Sequence, residues 1–451
     1  MRGLRLSNLD VIALAELGIV ALAAPFLLFP TSRTTMTIGA SVALVLVWIA
    51  RWLVTRRPGT PTALDIPLLL LLVTVPVAVW ASAFPELTLP KLSSLILGLA
   101  AFRAVVNAVR TPRHLLMVAV LFLLLGLGVA TVGLVSTAWS SKWAILQPVL
   151  NRIPRLIQAL PGAAAGIHPN ELAGTLLLFF PVSLAALWMG RSDQGWLRWM
   201  VSLATLLLVL FFGIVLLITQ SRSAWIGAVM GGAVMVSVRW RPARWAVLAA
   251  ALVLVYGLLS FGPQEALASL FPATASEPIG TLASTVTFEG RLELWNRALY
   301  AIQDFAFTGC GLGTFRKVVH QLYPMFLWSP DADIAHAHNI FLQVALDLGV
   351  PGLVAYLALA GTSLWIGLRL AHSPRDSDGY EGSPYRWLAL GVLGSLVAFH
   401  VYGLTDAVAL GAKPGVAYWM LLALAAALWN LAPRRRQDQA DSPKPSGATG
   451  E

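Results

Sequence analysis

The sequence predicts an all-α, polytopic integral membrane protein of about a dozen helices. Three observations carry that prediction. The 451-residue chain is 58% hydrophobic and 12% charged, whereas soluble domains carry roughly 25% charge. Its mean hydropathy is +0.76. Nearly uncharged stretches of about 20 residues recur along it, the length a helix needs to cross the hydrocarbon core. One soluble core cannot hide that much apolar surface, so lipid must solvate it.

In order, the stretches cover residues 10–29, 36–54, 64–84, 88–109, 114–137, 171–190, 198–219, 223–239, 244–262, 352–371, 386–409 and 414–432. The first is as long as a full span and lacks a small-residue cleavage site, so it reads as a helix and not as a signal peptide. Together they make a transmembrane helical domain over 1–432. Two loops interrupt it, one at 138–170 and a longer one at 263–338. The tail 433–451 is polar, with Pro, Ser and Gly, and reads as a disordered cytoplasmic end.

The net charge is +10, and its distribution argues against a nucleic-acid partner. With the N-terminus in the cytoplasm, most basic residues fall in inside loops, among them Arg2, Arg51, Arg56, Arg57, Arg241 and Arg434. That is the positive-inside bias, and it puts both termini inside. Two groups run against it. Lys142, Arg152 and Arg155 stand in the first outer loop, and Arg291, Arg297, Arg316 and Lys317 in the second. Positive charge kept outside points to an anionic ligand on that face. The single cysteine, Cys310, excludes an internal disulfide and a cysteine-based metal cluster.

Within the long loop, residues 291–305 place Leu292, Trp295, Leu299 and Ile302 on one helical face, with Glu293, Asn296, Arg297, Tyr300 and Asp304 on the other. This is an amphipathic helix, expected on the membrane surface or across the mouth of the bundle. A packing helix accounts for the stripe but not for Arg291 at its start. The run GCGLGTF (309–315) follows a helix and not a strand, so it reads as a tight turn and not as a dinucleotide loop.

From His336 the chain reads HAHNIFLQVALDLGVPGL. Residues 339–371 are too many for one straight crossing. The expectation is a short helix, a break at Gly349–Gly352, then a full span. His338 and Gly349 are eleven apart, about three helical turns, and so share a face. The glycines would let that face pack closely while the histidine stays at the outer rim.

His338-Asn339, nine residues, then Gly349-x-x-Gly352 resembles the histidine motif of the O-antigen ligase family. HPNELAG (168–174), TQSRSAWIG (219–227) and EGRLELWNRAL (289–299) agree with it in order. The resemblance covers roughly residues 165–410; the first five spans match only as hydrophobic helices. It implies a GT-C-like glycosyltransferase that moves a glycan from undecaprenyl diphosphate to lipid A-core in lipopolysaccharide biosynthesis. The reaction would be inverting, without cofactor or metal, at the periplasmic face of the bacterial inner membrane. The same superfamily includes glycan polymerases and protein O-oligosaccharyltransferases, so the motif leaves the acceptor open.

The residue types suit such chemistry. An acceptor hydroxyl must lose a proton and a diphosphate must leave. Histidine can take that proton at neutral pH, which makes His338 the candidate general base. Arginine's planar fork matches phosphate oxygens. Arg222 and Arg291, carried over from the family, would hold the diphosphate, with Arg152 and Arg155 as weaker candidates. Each residue also has a plainer reading. His338 could be a helix cap, Arg222 a snorkelling side chain and Arg291 a solvated loop charge. Asp406 either orients His338 or ends a helix, and His168 and Asn170 either bind a head group or cap one. His336 and His338 could pair on a metal, with Asp331 and Asp333 the only carboxylates then in view, short of the four ligands of a structural site.

A transporter is the competing function of another class. It should carry ionisable residues or broken helices near the membrane midplane. Glu16 and His400 are the main ones deep in spans, whereas the other polar residues gather at the outer face.

Overall fold

The computed structural model describes residues 8–30, 34–137, 139, 146–154, 156, 166–188, 195–261, 288–329, 331–372 and 384–432. Within them the fold is all-α: α1 (Asn8–Leu28), α2 (Thr34–Thr55), α3 (Asp65–Trp80), α4 (Pro85–Ala108), α5 (Pro112–Ser136), α6 (Gln147–Leu150), α7 (Pro169–Ala186), α8 (Trp196–Ile218), α9 (Arg222–Arg239), α10 (Ala243–Phe261), α11 (Phe288–Asp304), α12 (Phe315–Leu322), α13 (Ile340–Ala371), α14 (Pro384–Tyr402) and α15 (Gly415–Leu431). Thr137 and Ile167 form an isolated bridge. Seven described helices are long and apolar enough to cross a membrane, and three shorter apolar ones accompany them. Each of the twelve apolar stretches falls on a helix. The protein is a polytopic membrane protein. The tail 433–451, Arg155 and the stretch 263–287 lie outside the described residues.

Local chemistry sets the helix starts. Proline occupies the first turn of α4, α5 and α7, where its missing N–H costs nothing. At the start of α5 the Thr111 side chain accepts from His114 N, a cap of the usual kind. The helices then pack through small residues, as expected where lipid removes the hydrophobic drive between them. On α9, Gly227 and Gly231 lie against α14, and a methyl at either would come within 2.5 Å of the Ala398 or Gly394 carbonyl oxygen. α7 backs the same pair, with Gly391 of α14 against Val182. α15 packs on α4, and α13 on α3 and α14. Leucines such as Leu22, Leu69 and Leu203 are exposed, as lipid-facing residues should be.

The break foreseen at Gly349 is present. Its φ is +73°, non-helical, inside α13. The backbone N–H of Val350, freed there, donates to Ala306 O at 2.7 Å. The loop carrying α11 and α12 therefore docks onto the kink. That loop has its own apolar core of Leu294, Ala298, Phe315, Val319, Trp328 and Leu346, among others. Burial pushes the Cys310 thiol within it up to about 12, with Asp347 and Asp304 adding to the rise.

Four expectations are corrected. His338 does not share a helical face with Gly349: Asn339 caps α13, and His338 precedes the cap at φ +48°. The buried line of α11 is Arg291, Leu294, Ala298 and Ala301, whereas Leu292 and Leu299 are exposed. The predicted stripe is therefore split: Leu292 and Leu299 face outward, whereas Trp295 and Ile302 are half-buried and pack inward. Arg51 stands inside α2, buried, and not in a loop. Arg222, expected in the short connection between the spans 198–219 and 223–239, is the first residue of α9. The two ionisable groups deep in the spans are both engaged. Glu16 pairs with Arg51, and His400 Nε2 lies 3.0 Å from Tyr356 Oη.

Candidate active site

Three chain segments converge at one end of the bundle. α7 begins after His168, whose Nδ1 accepts from Asn170 N at 3.2 Å. α14 ends at Tyr402, and Asp406 lies in the turn beyond it. The strap 336–339 enters α13. Backbone and side-chain bonds bind the three together. Ile340 N donates to Gly403 O at 2.8 Å. Asn339 caps α13 through Phe341 N and Leu342 N, and its amide donates to Leu404 O at 2.9 Å. Tyr402 Oη donates to Asn170 O at 2.8 Å.

Asp406 is the hub. Its side chain is 1% exposed. Oδ1 lies 3.2 Å from His338 Nδ1 and accepts from Ala407 N at 2.9 Å. Oδ2 accepts from the Asn170 amide at 2.8 Å. The Arg291 guanidinium stands 4.0 Å from Oδ2, and His336 Nε2 stands 3.8 Å from Oδ1. Burial alone would raise the carboxyl pKa. His338, by charge and hydrogen bond, with His336 and Arg291, outweighs it and holds Asp406 well below the usual carboxylate range. A buried anion is tolerable only when paired in this way.

The two histidines meet edge to face with ring centroids 4.4 Å apart. His338 N donates to His336 Nδ1 at 3.2 Å. Burial first, and then the neighbouring His338, lower the His336 pKa to about 3, so its ring stays neutral at physiological pH. A hydrogen bond from His338 Nδ1–H to Asp406 leaves His338 Nε2 with the lone pair.

Of the residues predicted from sequence, His338, Asp406, Asn170 and Arg291 come together, with Asn339 and His168 beside them as caps. Arg291 is 5% exposed, in the first turns of α11, and no solvated loop charge. Arg222 reaches this end indirectly: its neighbour Ser223 Oγ bonds Thr405 Oγ1 at 2.7 Å, one residue before Asp406. Arg152 is exposed in the turn after α6. Gly349 and Gly352 shape the kink of α13 and touch none of these groups. Asp331 and Asp333 are not the carboxylates of the histidine pair: Asp333 is engaged by Arg316, and Asp406 takes that place. His336, His338 and Asp406 offer ligand atoms within 4.8 Å of one another, a set that could hold a metal ion.

Sequence reasoning missed Gln343 and Asp347. Both are buried on α13 and join the strap to the glycine turn. Two polar residues four apart in the apolar run IFLQVALDL are the signal that could have found them.

Residues 206–357 match the family model described as O-antigen ligase. Over those residues, about a third of its length, the chain is similar to that family. The match begins in α8 and ends in α13, so it includes Arg222, Arg291 and His338. α1 to α7, α14, α15 and Asp406 lie outside it. No curated protein matched the chain. The likeness implies glycan and lipid-linked substrates in general terms.

Proposed function

We propose that this protein transfers a glycan from undecaprenyl diphosphate to lipid A-core at the periplasmic face of the inner membrane. The observation that carries the reading is the His338–Asp406–Arg291 cluster, buried at one end of an apolar bundle. Asp406 holds the His338 ring by Nδ1 and leaves Nε2 as the base. An acceptor hydroxyl attacks the anomeric carbon from the face opposite the diphosphate. Its proton passes to His338 Nε2, the new C–O bond forms, and the bond from carbon to diphosphate oxygen breaks with inversion. The electron pair leaves on the diphosphate, whose charge Arg291 and Arg222 balance, with Arg152 and Arg155 the weaker candidates from the sequence. Because guanidinium groups supply that charge, the scheme needs no metal. A carrier with a lipid tail presents its diphosphate at the head-group level, and both arginines belong to segments at this end.

A direct assay decides among acceptors. Purified protein receives a lipid-linked glycan together with lipid A-core, a second lipid-linked glycan, or an acceptor protein, and products are separated by size. Ligation gives a conjugate on lipid A-core. Lengthened lipid-linked chains would identify a polymerase, and a glycoprotein would identify a protein O-oligosaccharyltransferase. Absence of transfer to all three would overturn the reading, and substrate flux into vesicles would replace it with a transporter.

A further inference from the structure

The peptide between the two histidines is held from both sides. Ala337 is fully buried. Its N–H donates to Gln343 Oε1 at 2.9 Å, and its C=O accepts from Trp295 Nε1 at 3.0 Å. Neither partner belongs to the strap. Gln343 sits one turn into α13, and Trp295 is one turn along α11 from Arg291. Gln343 is itself fixed, because its amide donates to Asp347 Oδ1 at 2.8 Å, and that oxygen also accepts from Gly313 N at 2.9 Å. A continuous path of hydrogen bonds therefore runs from the glycine turn, through Asp347 and Gln343, to Ala337 and on to α11.

The next residue explains why such a clamp is needed. His338 has φ +48°, a left-handed backbone that costs a side-chain-bearing residue about 1 kcal/mol or more and persists only where surroundings impose it. With Ala337 locked, His338 is turned so that Nδ1 meets Asp406. We propose that Gln343 and Trp295 are positioning residues for His338, clamping the Ala337 peptide so that the base and the Arg291 helix keep one fixed relation. This rests on the assignment of His338 as the base. It adds that the anion-holding helix and the base are parts of one strut.

The test uses full-length protein in detergent, with lipid-linked glycan donor and lipid A-core. Trp295→Phe keeps an aromatic ring but removes the indole donor together with the second ring; Gln343→Leu removes both amide bonds. Misplacing a catalytic group by about 1 Å costs roughly 100-fold. Each variant should therefore lose about 10- to 100-fold in kcat, with donor binding within about twofold of wild type. The double variant should lose little more than the worse single one, because both act on one peptide. Equal falls in kcat and donor affinity, or unchanged kcat, would overturn the proposal and assign these residues to packing alone. If Gln343→Leu does not fold, Trp295→Phe decides by the same readings. If His338→Ala keeps wild-type turnover, the base assignment itself fails. If His338→Ala is inactive while Trp295→Phe and Gln343→Leu turn over normally, only the clamp is wrong.

Discussion

The chain buries two carboxylates beside arginine and asparagine, at opposite ends of α4. Thr88, in its first turn, bonds Leu312 O near the glycine turn, and Asn107, in its last, bonds Glu16. Nineteen residues of helix separate them, about 28 Å. At the Glu16 end the cluster is closed. Arg51 grips both carboxylate oxygens, with Nη2 to Oε2 at 2.6 Å, and the Asn107 amide adds a third bond at 3.0 Å. At the Asp406 end it is open. Asn170 fills one oxygen at 2.8 Å, yet the guanidinium stops at 4.0 Å and two histidines share the other oxygen. The first arrangement is a closed ion pair; in the second the carboxylate is shared among several groups at longer range.

Substitutions can break this contrast. His338→Ala should abolish transfer, by about 100- to 10,000-fold, the usual worth of a general base. The protein should still insert and elute as a folded species, and donor binding should be nearly intact. Wild-type turnover from folded protein would end the base assignment.

Arg291 and Arg222 come next. A hydrogen bond to a charged group contributes about 1.5–3 kcal/mol, so Arg291→Ala or Arg222→Ala should weaken donor binding about 10- to 100-fold. The lysine variants should fall between these and wild type, because charge survives but the fork does not. Donor titration of solubilised variants measures this. Unchanged binding and turnover in both alanine variants would move the anion site to Arg152 and Arg155.

At the closed end the effect should fall on stability and spare chemistry. Arg51→Met strands Glu16, and breaking a buried pair costs about 3–5 kcal/mol. Thermal unfolding in detergent should drop while kcat per folded molecule stays within about twofold. A matching collapse in kcat would mean that the two ends are not separable.

Acid should sharpen the contrast further. The unfolded chain protonates His336 near 6.5, whereas in the fold the ring resists down to about 3. The unfolded state then holds more protons, so stability falls as pH drops through that window and is flat above it. Asp406, depressed below 3.8, adds a loss in the same direction at lower pH. His336→Asn should flatten the upper part of the unfolding-versus-pH curve. The smallest effect expected is that of a chelator. EDTA should leave turnover unchanged, and loss restored by one divalent ion would assign His336, His338 and Asp406 to a metal.

The fold was legible because each span must satisfy its backbone internally and is written as a continuous apolar run. The kink at Gly349 was legible too, since Gly-Val-Pro-Gly interrupts such a run. The site was legible only in parts. His338 and Gly349 announce themselves by spacing, but Asp406 lies 68 positions from His338, and only the packing of α14 against α7 and α9 brings it there. The face of α11 was misread for a physical reason. Periodicity finds where large apolar residues fall, and in a lipid-bordered protein they face outward as readily as inward. Arg291 instead took a place on the inner line, beside Leu294 and Ala298.

The loop that carries Arg291 is stapled to α13 at three points: Val350 N to Ala306 O and Cys310 N to Leu346 O, both at 2.7 Å, and Gly313 N to the Asp347 carboxylate at 2.9 Å. Peeling it away would strand three amide donors with nothing to replace their partners in an apolar setting, at a cost of about 1–3 kcal/mol each. The loop is therefore a fixed lintel and not a swinging door. On the proposed function, a lipid-linked donor therefore has to reach the site without that loop swinging open.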